Sequence, residues 1–198
     1  MESIDAPPLN SNLELLLTSI SSKAIISFQK MATEKMKIKS FEIDCRDLDN
    51  RFHATDIRES KEFKATFDIL KSVTGPVLYW FEILSDTNPQ RIVESIKNYK
   101  NGDGKRATPA IKKRGNDTSR ILYVGKVKKA FCGRLITHLG YLKGSGQTQG
   151  LQLGCWAKDI CLTLRLNFIE FDKGMADYMT ILENGFAEHL RPLIGKHK

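Results

Sequence analysis

The sequence predicts an α/β domain, and three stretches carry that expectation. Residues 121 to 139, ILYVGKVKKAFCGRLITHL, run from an apolar, partly β-branched strand through a Gly-Lys turn into a helix, with Phe131, Leu135, Leu139 and Leu142 at helical spacing. Val77 to Leu84 is a nearly continuous apolar run, the pattern of a buried strand. Cys161 to Asp172 alternates Leu162, Leu164, Leu166 and Phe168 against Thr163, Arg165 and Asn167, the pattern of a half-buried strand.

The remaining elements follow in chain order. Met1 to Asn12, with Pro7 and Pro8, reads as a mobile leader. Leu13 to about Met31 is dense enough in apolar residues for a helix, although its serines weaken that propensity. KIKSFEID, residues 37 to 44, alternates like a strand, and Glu62 to Val73 places Phe63, Phe67 and Leu70 at helical spacing. No chemistry is legible in this first third, so residues 1 to 74 are expected to be an accessory α+β region. Thr74-Gly75-Pro76 marks a break. Asn88-Pro89 is an N-cap and first-turn pair opening a helix to about Lys100, with Ile92, Ile96 and Tyr99 on one side. Residues 101 to 120 form a Gly-rich basic loop, and KGSGQTQG at 143 to 150 reads as a connector because it lacks a phosphate-loop signature. Residues 151 to 159 are expected to hold a short helical segment with Trp156, and a last helix follows Gly174 and stops at Pro192.

The bulk properties restrict function. The chain has 198 residues and 41% hydrophobic residues, enough for a packed core. No run of about 18 uncharged apolar residues exists and no signal peptide is evident, so a cytoplasmic location without membrane contact is expected. Cys45, Cys132, Cys155 and Cys161 form no CxxC pair, and the histidines show no close ligand spacing, which leaves buried free thiols and no zinc module as the expectation. The net charge of +8 is uneven: −3 over residues 1 to 86, +6 over 87 to 120 and +5 over 121 to 198. A basic excess in that part suits a polyanion partner, since Lys and Arg contacts to phosphates release counterions.

Two helices place polar groups beside apolar stripes. At about 100° per residue, Arg134, His138 and Tyr141 share a narrow arc at one edge of the buried face. On the last helix Glu183 has Met179, Phe186, Ala187 and Leu190 as wheel neighbours, and a carboxylate there is costly unless paired or metal-bound.

Tyr123-Val124-Gly125-Lys126 followed by Arg134 and His138 resembles the second half of the GIY-YIG nuclease signature. Val77-Leu78-Tyr79 resembles its first tripeptide, with valine where the family usually has glycine. Glu183, before the Leu/Arg-Pro ending, resembles the family's metal-binding glutamate, and Gly195 stands near where an asparagine is common. The resemblance covers about residues 75 to 198, with an inserted basic helix and loop at about 86 to 119. It implies a small, mostly antiparallel three-stranded sheet, about 77 to 84, 120 to 127 and 161 to 171, flanked by helices. It further implies a metal-dependent endonuclease acting on DNA. Tyr79 would deprotonate or orient a water, with Lys126 and Mg²⁺ (or Mn²⁺) on Glu183 favouring its phenolate. Arg134 would hold the scissile phosphate, Tyr123 would hydrogen-bond within the site, and His138 would position a phosphate or relay a proton. Lys105, Arg106, Lys112, Lys113, Arg114, Lys128 and Lys129 are the candidates for tracking a DNA backbone. The alternative is a catalytically inactive nucleic-acid-binding protein on the same fold. One site makes one nick, so a double-strand break needs a homodimer or two events, and the sequence leaves the oligomeric state open.

Overall fold

The computed structural model describes residues 9–49, 55–103, 105–112, 118–142 and 149–196. Lys113, Arg114 and most of the connector at 143 to 150 lie outside the described residues. The chain divides into two compact units, Met1–Lys37 and Ile38–Lys198. This boundary precedes the break expected near residue 74, so residues 38 to 74 share a unit with the sheet.

In the first unit, α1 (Leu9–Thr33) is longer than the expected helix and takes in the end of the expected leader. Its Leu13, Leu15, Leu16, Leu17, Ile20, Ile25 and Ile26 are exposed.

The second unit is built on four strands, β1 (Lys39–Asp44), β2 (Val77–Ile83), β3 (Ile121–Val127) and β4 (Thr163–Glu170). They lie in the order β1-β4-β2-β3, and every neighbouring pair is antiparallel. The sheet therefore has four strands rather than the three the resemblance implied. The added strand is KIKSFEID, which pairs Lys39 with Phe168 through to Asp44 with Thr163. Its alternation identifies a strand, but partner choice is a long-range matter, decided here by packing such as Phe41 stacked on Phe168 at 5.8 Å.

Alternation gives the sheet two faces. Val77, Tyr79, Phe81 and Ile83 of β2 and Leu164, Leu166 and Phe168 of β4 point into the main core. That face receives Phe67 and Leu70 of α2 (Lys64–Leu70), Ile92 and Ile96 of α3 (Pro89–Asn101), and Phe131, Leu135 and Leu139 of α4 (Phe131–Leu139). Phe131 sits 5.2 Å from the Tyr79 ring and 5.1 Å from Phe168, and burying such a side chain is worth about 1.5–3 kcal/mol. The opposite face of β2 and β3 is covered by α5 (Met179–Leu190), whose Phe186 meets Trp80 at 5.7 Å.

Local chemistry sets the helix ends. Asn88 caps α3 by accepting from the Gln90 amide at 2.8 Å, with Pro89 in the first turn. α4 stops at Leu139 because Gly140, at φ 98°, turns the chain left-handed and returns its amide to the Ile136 carbonyl. Tyr141 and Leu142 therefore lie past the helix rather than on its stripe. Trp156 falls between two single 3₁₀ turns, Leu153–Cys155 and Lys158–Ile160. All four cysteines are free, but only Cys45 is buried: Cys132 and Cys155 are half-buried and Cys161 is exposed.

Candidate active site

The site forms around β3, the last strand of the sheet, where one face ends and the other begins. Tyr79 in the middle of β2 lies opposite Gly125 of β3. A Cβ at position 125 would stand 2.6 Å from the Tyr79 hydroxyl oxygen and 2.6 Å from the Tyr123 ring. Glycine is thus required for two phenols to share this space.

α4 contributes two side chains one turn apart. The Arg134 Nε–H donates to the Tyr79 oxygen at 3.0 Å, and His138 Nε2 lies 2.8 Å from the same oxygen. Arg134 also donates from one terminal nitrogen to the Gln149 carbonyl at 2.7 Å, and from the other to the Tyr123 oxygen at the outer limit of 3.5 Å. The Leu151 amide donates to His138 Nδ1 at 3.2 Å. Both nitrogens of His138 are engaged and its ring is 0% exposed, so it braces Tyr79 and does not face a ligand.

Burial governs the electrostatics of this group. It pushes the Tyr79 phenol well above its ordinary range; Tyr123 and Glu183 add to that shift, and the Arg134 cation opposes it. The Tyr123 phenol is raised by burial as well, again against Arg134. Burial disfavours the Arg134 cation, but its charge and hydrogen-bond interactions with Tyr79 and Tyr123 outweigh that effect and raise its pKa. His138 is held well below its ordinary value by burial and by neighbouring Arg134, which keeps the imidazole neutral.

From the other face come Lys126, the residue after Gly125, and Glu183 of α5. The Lys126 ammonium donates to Glu183 Oε2, in an ion pair whose side chains are 25% and 13% exposed. Met179 and Ala187 on either side of Glu183 are buried, so the carboxylate does lie beside an apolar stripe. Among the described residues no group of three or more His, Cys, Asp or Glu side chains gathers to hold a metal. A lone, largely enclosed carboxylate fits a hard divalent ion that takes its remaining ligands from water and phosphate oxygens, provided Lys126 moves off the carboxylate.

The structure separates the other candidates. Lys105 and Lys129 are exposed, and Lys128 pairs with Asp177 at 2.8 Å on the surface. Arg106 is turned inward and donates to the Gly140 and Leu142 carbonyls at 3.0 and 2.9 Å, closing the end of α4. Lys112 is partly enclosed, and burial pushes its ammonium down; its neighbour Ile111 bridges to Ile194 of the C-terminal segment. Tyr141 turns away from the phenols, its hydroxyl accepting from the Asp49 amide. The Gln149 carbonyl and the Leu151 amide, both touching site residues, are main-chain groups that residue types do not announce. Among the described residues no helix is long and apolar enough to cross a membrane. No family model matches the chain, and neither the curated proteins nor the solved structures include a match to it.

Proposed function

We propose that the chain is a divalent-metal-dependent endonuclease that hydrolyses DNA phosphodiester bonds. One observation carries this reading: a buried phenol, Tyr79, receives a hydrogen bond from a guanidinium and contacts an imidazole, within the electrostatic reach of the Glu183 carboxylate. A core that served stability alone would fill this volume with apolar side chains, and clustered perturbed groups are characteristic of functional sites.

Each residue has a role that follows from its contacts. Burial holds Tyr79 as the neutral phenol against the opposing Arg134 cation, so its role is to orient the attacking water through its O–H. Arg134 gives three of its five N–H groups to Tyr79, Gln149 and Tyr123 and keeps two for a phosphate. Tyr123 fixes the outer wall of the site. Lys126, once off Glu183, supplies positive charge toward the phosphoryl oxygens. A divalent ion on Glu183 supplies charge neutralisation at the reacting phosphate when bound. Exposed Lys105 and Lys129 are suited to the DNA backbone, as nonspecific contacts that weaken with salt.

The test is cleavage of supercoiled plasmid by the purified protein with Mg²⁺ or Mn²⁺. Nicking or linearisation is expected, lost with EDTA and in Glu183→Ala, and reduced about 10²–10³-fold in Arg134→Ala. A second reading, a nucleic-acid-binding protein without catalysis, is favoured by Lys126 already neutralising Glu183 and by the complete burial of Tyr79. Salt-sensitive DNA binding with no cleavage of any substrate would select it.

A further inference from the structure

We infer that Trp156 is a positioning residue: through Leu151 it fixes which ring nitrogen of His138 carries the proton, and so makes His138 a hydrogen-bond donor to Tyr79. The argument begins at the segment 149 to 151, which meets both polar residues of α4. The Gln149 carbonyl accepts from Arg134 at 2.7 Å, and the Leu151 amide donates to His138 Nδ1 at 3.2 Å. Leu151 is itself held from behind, because the Trp156 indole N–H donates to its carbonyl at 2.7 Å. Trp156 and Leu151 are 3% and 1% exposed, so water does not compete for these bonds.

Gly150 fastens the same segment to α4. A Cβ there would stand 2.3 Å from the Thr137 carbonyl oxygen, and the Gly150 amide donates to the Ala107 carbonyl at 3.2 Å. Leu151 therefore cannot move away from His138 without breaking contacts on both sides.

A backbone amide only donates, so His138 Nδ1 must present a lone pair. The single proton of a neutral imidazole is then on Nε2, aimed at the Tyr79 oxygen 2.8 Å away. That oxygen accepts from Nε2–H and from the Arg134 Nε–H, which occupies both of its lone-pair directions. With those directions filled, the Tyr79 O–H is left to donate elsewhere, and His138 is not the acceptor of the phenol proton. The catalytic consequence rests on the nuclease reading; the tautomer does not.

The experiment is ¹⁵N NMR of histidine ring nitrogens in the full-length protein, with His138 assigned by loss of its signals in His138→Gln. The parent is expected to carry the proton on Nε2 and to show slow exchange of the Leu151 amide. Trp156→Phe keeps the buried ring but removes the donor. It should give a mixed tautomer population and at least tenfold faster Leu151 exchange, with kcat reduced and KM little changed in a cleavage assay. A proton on Nδ1 in the parent, or an unchanged tautomer and exchange rate in the variant, overturns the inference. If the variant does not fold, the parent still decides. Slow exchange of the Trp156 indole N–H together with a scalar coupling across the Leu151 N–H···Nδ1 bond supports the inference, and rapid exchange or no coupling ends it. Absence of cleavage in the parent with the expected tautomer would count against the nuclease reading alone.

Discussion

Gly125 shows how one missing methyl group organises the site. Its open space is filled by the Tyr79 hydroxyl and the Tyr123 ring, each 2.6 Å from where a Cβ would be. Gly125→Ala should destabilise the protein by about 1–3 kcal/mol in urea unfolding, because two buried rings must leave their positions. An unchanged midpoint would show that the rings yield without cost. Lys126 and Glu183 make the second test at this scale. Lys126→Met removes the cation that a divalent ion must displace, so Mn²⁺ affinity measured by calorimetry should rise about tenfold, or ~1.4 kcal/mol. Equal affinity in the two proteins would mean that Lys126 does not compete for the carboxylate. His138 supplies a pH signature. Its pKa is depressed in the fold, so below the unfolded value of about 6.5 the unfolded chain binds the extra proton. The stability it contributes is complete above that pH and declines toward the folded pKa, at up to about 1.4 kcal/mol per pH unit. Urea unfolding of the parent and His138→Gln at pH 7.5 and 5.5 should show a shallower acid loss in the variant.

Helix ends decide which side chains of α4 reach the site. Ala130 precedes the helix in the left-handed conformation, φ 58° and ψ 51°, without a side-chain cap. That conformation costs an L-residue about 1–2 kcal/mol, more than the unfolded-state entropy of about 0.4–1 kcal/mol that glycine adds. Ala130→Gly should therefore raise stability, by about 0.5–1 kcal/mol, and a lower melting temperature would refute that account. At the other end, Gly140 was the available sign that the helix stops before Tyr141, but a wheel drawn through it puts Tyr141 beside Arg134 and His138. The arc that held for Arg134 and His138 failed one residue past the cap. α3 was legible to its first turn, because Asn88 and Pro89 act within two residues of sequence. Arg106 was not: its charge is visible in the sequence, while the α4 carbonyls that receive it lie in another segment.

At the scale of the whole molecule, β1 ties residues 38 to 74 to the site's own sheet. Leu48, Phe63, Phe67 and Leu70 join the core that contains Tyr79 and Phe131. A fragment of residues 38 to 198 should unfold cooperatively, whereas one of residues 75 to 198 should not, because it lacks β1 and those core side chains. Circular dichroism melts of the two fragments compare them directly, and a cooperative melt of the shorter one would show β1 to be dispensable. The sequence by itself determined the α/β class, the positions of β2, β3 and β4, and the carboxylate beside an apolar stripe, because periodicity and caps act over a few residues. Only the tertiary structure decided that β1 pairs with β4, that Lys126 neutralises Glu183, and that the Leu151 amide holds His138. Those depend on which distant segments pack together, and on backbone groups that every residue carries alike.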